Sequence, residues 1–423
     1  MIQEKYIKDL DKLVEIGKSQ DYKINSITFY NLLSTFPSTE KTTEMLDEME
    51  QYLKLNNIDI ISDGVEIEEV DSTSFSEIVR PFDPSKIDIV MKPMTMDSLL
   101  KRIYNGEINL NTDFQRKGGL WTNVKKSQLI ESLILKIPLP AFYFDASNDD
   151  NWLIIDGLQR ITVFKEFIVD KTLKLTGLEF FGDFNGSTYD DLPRTFTRRI
   201  EEASIIVYTI NPGTPQNVKY NIFKRINTGG LELEPQEIRH ALYQGKSTEL
   251  IKEMALMESF LKATGNSIKT DRMLDREFAL RFISVCFYGI DRYEGNSDEF
   301  LNTTMEYVNG ISEDEIEFIK NEFQKIMILA NRIFGRYAFR KMGSDNRKRP
   351  INKSVFEIWC YNLFKLNKNQ LHHLIERRQM VCKRFIDLCE NDYIFTNYLK
   401  ASDKGSFRMR IFRVEELIEE VLC

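Results

Sequence analysis

Five consecutive residues, Asp156-Gly157-Leu158-Gln159-Arg160, bring an acid, a turn-former, an amide and a guanidinium to one junction. The apolar run "NWLII" leads in and "ITVFKEF" leads out, so a strand is expected to end at Asp156 and a helix to start beyond Gly157. Glycine supplies the positive φ that so sharp a turn requires. A helix starting there points unpaired N–H groups and the positive end of its dipole outward, which suits a phosphate. Arg160, in the first turn, can fork onto phosphate oxygens. Asp156 can hold a magnesium ion or orient a water, and Gln159 can position that water or a base edge. On these five residues alone, a plain surface turn competes with a site.

Three other stretches carry similar groups. "NTDFQRKGGLW" sets Gln115 and Arg116 before a glycine pair, with Phe114 and Trp121 as expected core anchors. "FKRINTGGLELEPQEIRHA" puts Arg225 and Asn227 at the end of a helix, with Thr228-Gly229-Gly230 as its C-cap and loop. A cap needs one glycine; the second fits close backbone approach to a ligand, or a mere loop. "FGRYAFRKMGSDNRKRP" gathers Arg336, Arg340, Lys341, Arg347, Lys348 and Arg349. That run reads either as a solvated mixed-charge face or as a contact for a polyanion such as DNA.

The elements that must position these groups fall into three parts. Residues 1–64 read as a small acidic helical domain, with Leu10, Leu13, Val14 and Gly17, then Met45, Met49 and Leu53, at helical spacing and "IDII" closing it. Residues 65–87, acidic, serine-bearing and marked by prolines, read as a linker. Residues 88–245 alternate strand and helix signals. Thr95 is an expected N-cap of one helix, and a second, "NVKKSQLIESLILKI", is stopped by Pro138 and Pro140. "AFYFDAS" and "NWLIID" flank "NDD" as a hairpin, "ASIIVYTI" is a further strand, and Thr214-Pro215 cap and open the helix that follows. Residues 246–423 are dominated by helical periodicity.

Composition bounds the rest. At 423 residues with 42% hydrophobic content the chain can bury a large core. No apolar run is long enough to span a membrane, and five cysteines without C-x-x-C spacing fit a reducing cytoplasm. The net charge of −8 is uneven: residues 1–80 hold 17 acids and 8 bases, a net of −9, which leaves +1 for everything after them.

Taken together and in order, the motifs resemble the N-terminal domain of GmrSD-type modification-dependent restriction systems, related to the ParB and sulfiredoxin fold. They stand as Phe114-Gln115-Arg116…Trp121, Ile137-Pro138-Leu139-Pro140, Ile155 through Thr162, and Phe223 through Arg239. The resemblance implies an α+β protein. Its ParB/sulfiredoxin-like α/β nucleotide-binding core would lie between the acidic helical head and a mostly α-helical C-terminal domain. It further implies binding of a nucleoside triphosphate with Mg2+, hydrolysed in several members. Asp156, Gln159 and Arg160 would be the catalytic set, with Asp156 on the metal. Gln115, Arg116, Gly157, Thr162, Arg225, Asn227, Thr228, Gly229 and Gly230 would line the nucleotide. Two departures bear on turnover: Leu158 replaces the family's first glutamine, and Val163 its second threonine. "SDNRKRPINKSVFEIW" and "FRMRIFRVEELIEEVL" look like the helical C-terminal part of stand-alone members. The head is similar to the acidic N-terminal region of primary bacterial sigma factors, which implies either a DNA-mimicking cover for a basic groove or an acidic adaptor.

Effectors of this family often carry an HNH nuclease, which needs a histidine base and a metal set. His372 and His373 are adjacent, so on a helix they point about 100° apart and form no i, i+4 metal pair. His240 is the third histidine. The expectation is therefore a cytoplasmic NTP-binding protein of a bacterial anti-phage or restriction-type system without its own nuclease, working with DNA and an effector chain. The rival is a non-catalytic DNA-associated or inhibitory adaptor in which nucleotide is only a conformational ligand or is absent.

Overall fold

The computed structural model of the chain describes residues 10–15, 18, 23–25, 49, 51–53, 55, 56, 58–61, 88–110, 121–226, 233–270 and 272–423. In the N-terminal part Leu10, Leu13, Val14, Met49, Leu53 and Ile58 are buried, as their helical spacing requires. The Tyr52 hydroxyl donates to the Asp11 carboxylate at 2.7 Å. Strand β1 (Lys23–Asn25) pairs in parallel with β2 (Asp59–Ile61). The sequence pattern predicts only helices before "IDII"; three residues carry too little alternation to announce a strand. Gly17 and Met45 lie outside the described residues.

A five-stranded mixed sheet positions the candidate site. Its order is β3 (Ile89–Thr95), β7 (Ser204–Ile210), β5 (Phe142–Asp145), β6 (Trp152–Asp156) and β4 (Ile108–Asn109). β3 runs antiparallel to β7 and β6 antiparallel to β5, while β5–β7 and β4–β6 are parallel. β3 escapes the sequence reading because Pro93 interrupts it; the sheet tolerates that proline because β3 is an edge. The predicted hairpin is β5–β6, and an irregularity between Tyr143 and Phe144 sets Tyr143 opposite Asp156.

Alternation along the strands divides the two faces. Phe142, Phe144, Trp152, Ile154, Ile205 and Val207 pack against α1 (Met96–Tyr104), α2 (Asn123–Ile134), α3 (Leu158–Phe164) and α4 (Arg194–Glu201). Thr95 and Thr122 cap α1 and α2, accepting from the amides of Ser98 and Lys125. α3 continues into a π-helical turn over Lys165–Val169. On the other face, Ile155 and Ile210 join a second core that begins in α5 (Gln216–Ile226) and runs through the helical body to Val421. Thr214 departs from its expected role: its hydroxyl accepts from the Asp88 amide, and α5 opens at Gln216.

The body comprises α6 (Pro235–Leu242), α7 (Lys246–Leu256), α8 (Glu258–Thr264), α9 (Leu274–Ile283), α10 (Ser297–Gly310), α11 (Glu313–Phe334), α12 (Lys353–Lys365), α13 (Lys368–Glu376), α14 (Arg378–Asn391), α15 (Tyr393–Lys400) and α16 (Lys404–Leu422). A buried ion network ties three of them. Arg281 of α9 meets Glu277 at 2.7 Å and also Glu357 of α12, and Arg410 of α16 closes on Glu357 at 2.7 Å. The architecture is α+β, and among the described residues no helix is long and apolar enough to cross a membrane.

Candidate functional site

β6 ends at Asp156, and the chain turns at Gly157 with φ of +101°. A Cβ on residue 157 would lie 2.4 Å from Cδ1 of Phe142, so glycine is required for space as well as conformation. Leu158 then opens α3, whose start has no side-chain cap among the described residues. Leu158 itself packs against the apolar core beneath the sheet, which explains why a leucine is accommodated there.

Arg160 is the centre of the arrangement. Its Nη2 donates to Oδ2 of Asp156 at 2.8 Å and to the Ala141 carbonyl at 3.1 Å, and its Nη1 donates to the Pro140 carbonyl. The guanidinium carbon sits 4.3 Å from the centre of the Phe142 ring. Its side chain is 10% exposed. Burial lowers its hold on the proton, and Asp156 works in the opposite direction. A buried guanidinium is tolerable only with acceptors around it, and the carbonyls of the proline segment provide them. The Ile137–Pro140 and Asp156–Arg160 motifs are therefore one structural unit. Both Nη2 hydrogens are spent inside the protein, so the bidentate phosphate fork expected of Arg160 requires that it release a partner.

Asp156 remains 39% exposed. Across the hairpin from it, Tyr143 stacks on Tyr208 with ring centres 4.8 Å apart and planes 9° from parallel. Burial pushes the Tyr143 hydroxyl up, with Tyr208 and Asp156 adding to the effect. Gln159 and Thr162 are half-buried on α3. Arg225 is exposed near the end of α5, the helix that lies against β6. Asp156, Gly157, Gln159, Arg160 and Thr162 thus share one strand–turn–helix. Gln115, Arg116, Asn227, Thr228, Gly229 and Gly230 lie outside the described residues.

Several polar residues escape the sequence reading. Lys219 of α5 forms a buried ion pair with Asp145 at 2.9 Å, and Ser147 joins it. Arg239, at the end of the fourth motif, is fully buried, donating to Asn302 at 3.0 Å, to Gln236 at 3.1 Å and to Asp298. Burial alone would push the Asp298 carboxyl up, but Arg239 and then Lys224 outweigh it and hold it below the ordinary range. Arg239 stands beside Ile238 in the fourth motif, and two of its partners, Asn302 and Asp298, are more than fifty residues away.

The basic run needs one correction. Arg340 is buried, donating to the carbonyls of Thr264 and Arg349 and to the Ser267 hydroxyl, so it holds the loop and offers nothing to DNA. Arg336, Arg347 and Lys348 are exposed; Lys341 and Arg349 are partly so, with Arg349 reaching Asp345 at 3.1 Å. His240 is buried beside Arg276, while His372 and His373 both reach Glu376 at 3.3 Å.

A strand–glycine–helix turn ends one strand of a mixed sheet in an α+β architecture, with an acid and an arginine paired across it. Residues 97–244 match the family model described as the GmrSD restriction endonuclease, N-terminal domain. The family resemblance read from the motifs therefore holds over that segment. No curated protein matches the chain.

Proposed function

We propose that the Asp156–Arg160 turn binds a nucleoside triphosphate with magnesium, and that the chain is the nucleotide-reading component of a restriction-type anti-phage system. DNA cleavage would fall to a partner chain. The carrying observation is the turn itself: an uncapped helix start next to a half-exposed carboxylate, inside the segment that matches the family. Magnesium is commonly held by one or two carboxylates plus phosphate oxygens, so a lone Asp156 fits a metal carried in on the triphosphate. Arg160 would fix Asp156 and the proline segment, leaving direct phosphate contact to the helix amides and Arg225.

Leu158 favours a second reading, in which nucleotide acts as a conformational ligand without turnover, because its side chain is committed to the core. Triphosphate with magnesium should raise the melting temperature, by roughly 2.7 kcal/mol of stabilisation at a hundredfold excess over Kd. No shift with any of the four ribonucleotides would remove the nucleotide reading. Phosphate release that appears only in Leu158→Gln would assign the wild type to the conformational role.

DNA contact rests on Arg336, Arg347 and Lys348, with Lys341 and Arg349 beside them. If the acidic head, net −9 over residues 1–80, competes for that surface, deleting residues 1–87 should tighten DNA binding and steepen its salt dependence. Equal binding by both chains would make the head an interaction module for another partner.

A further inference from the structure

A pocket of about 220 Å³ lies between the start of α5 and one face of α10. Its walls include Gln216, Tyr243, Glu299, Asn302, Thr303 and Glu306. The four α10 residues recur at i, i+3, i+4 and i+7, so a single helix face presents them. Tyr243 is 3% exposed, and among the described residues its hydroxyl has no hydrogen-bond partner. The Gln216 amide nitrogen donates to the Leu242 carbonyl at 3.5 Å, which leaves its buried Oε1, also unpartnered, as an acceptor. Arg239 already occupies the Asn302 oxygen at 3.0 Å. Among the described residues, none of the lining side chains is basic.

Unpartnered buried polar atoms are costly, so this wall calls for a ligand that satisfies them. Two carboxylates and an amide oxygen accept without donating, which selects a donor-rich group, and their charge selects a cation. The volume falls below that of drug-sized sites, which excludes a nucleotide and suits a group the size of a side-chain head. We propose that the pocket binds a guanidinium, whose planar array of five donors can reach acceptors on both helices at once. Burial pushes the Tyr243 hydroxyl up with Glu306 adding to it, and burial also raises the Glu306 carboxyl; a bound cation relieves both. The site is independent of the nucleotide reading. It opens at Gln216, whereas Arg225 lies ~14 Å further along α5 at 1.5 Å per residue.

A guanidinium can come from a free small molecule or from an arginine of a partner protein. Calorimetric titration of the intact chain with ethylguanidine, its neutral analogue ethylurea, and a blocked Gly-Arg-Gly tripeptide separates these sources. Ethylguanidine should bind saturably at millimolar concentration and ethylurea should not. Glu299→Gln and Glu306→Gln, at exposed positions of α10, should each weaken binding about tenfold or more, since each removes a charge-assisted contact. Binding of the tripeptide alone, lost in the same variants, would identify the source as a partner's arginine. Ethylurea binding as well as ethylguanidine, affinity unchanged in both variants, or no saturation by any probe would overturn the proposal.

Discussion

Arg281 in the helical body and Arg160 at the end of the sheet are both buried, yet they are answered by different groups. Arg281 meets two carboxylates, Glu277 and Glu357, each almost wholly enclosed, and Arg410 and Lys353 complete the cluster. Arg160 meets two backbone carbonyls and one carboxylate, Asp156, which stays 39% exposed. The first arrangement is closed and can only hold helices together. The second fixes a turn while keeping an acid at the surface, so it retains capacity to act on something else.

Breaking each pair tests that contrast. Arg281→Ala leaves two enclosed carboxylates without their shared partner and should cost about 3–5 kcal/mol, read from the denaturant midpoint. Arg160→Ala should cost less, on the order of 1.5–3 kcal/mol, because Asp156 can turn to water while the two carbonyls lose their donor. Equal costs would mean that the turn is as closed as the body.

Acid should separate the regions as well. Burial alone would push the Glu277 carboxyl up, but Arg281, Lys353 and Arg239 outweigh it and hold it at about 2, against the ordinary 4.5. A folded value below the unfolded one stabilises the protein fully above 4.5, and that contribution is lost as pH falls through 2. Stability should therefore decline across this window, and Glu277→Gln should flatten the decline while lowering stability at neutral pH. An unchanged acid slope in that variant would remove Glu277 from the account.

The two regions also differ in how far they could be read from sequence. The turn was legible because its cause is local: a strand pattern, Gly157 and a helix pattern follow one another directly. The cap at Thr95 was legible for the same reason. The partners of Arg160 were not, since carbonyls nineteen and twenty residues upstream carry no side-chain signature. The ion network of the body was hidden for a stronger version of that reason, as Arg281 and Glu357 are seventy-six residues apart. Arg340 misled because charge in a loop reads as solvated, whereas its guanidinium here satisfies carbonyls that the fold buries.

The smallest expected change in stability falls on the residue with the greatest proposed role. Asp156→Asn keeps an oxygen to accept from Arg160 and removes only the charge of a half-exposed pair, so its cost should stay within about 1 kcal/mol. The magnesium-dependent part of any triphosphate-induced thermal shift should nevertheless disappear, because an amide is a poor ligand for a hard cation. The measurement is the shift with and without magnesium, in wild type and variant side by side. A variant that retains the magnesium effect would reduce Asp156 to a tether for Arg160. A variant that loses several kcal/mol would place this pair with the closed network of the body.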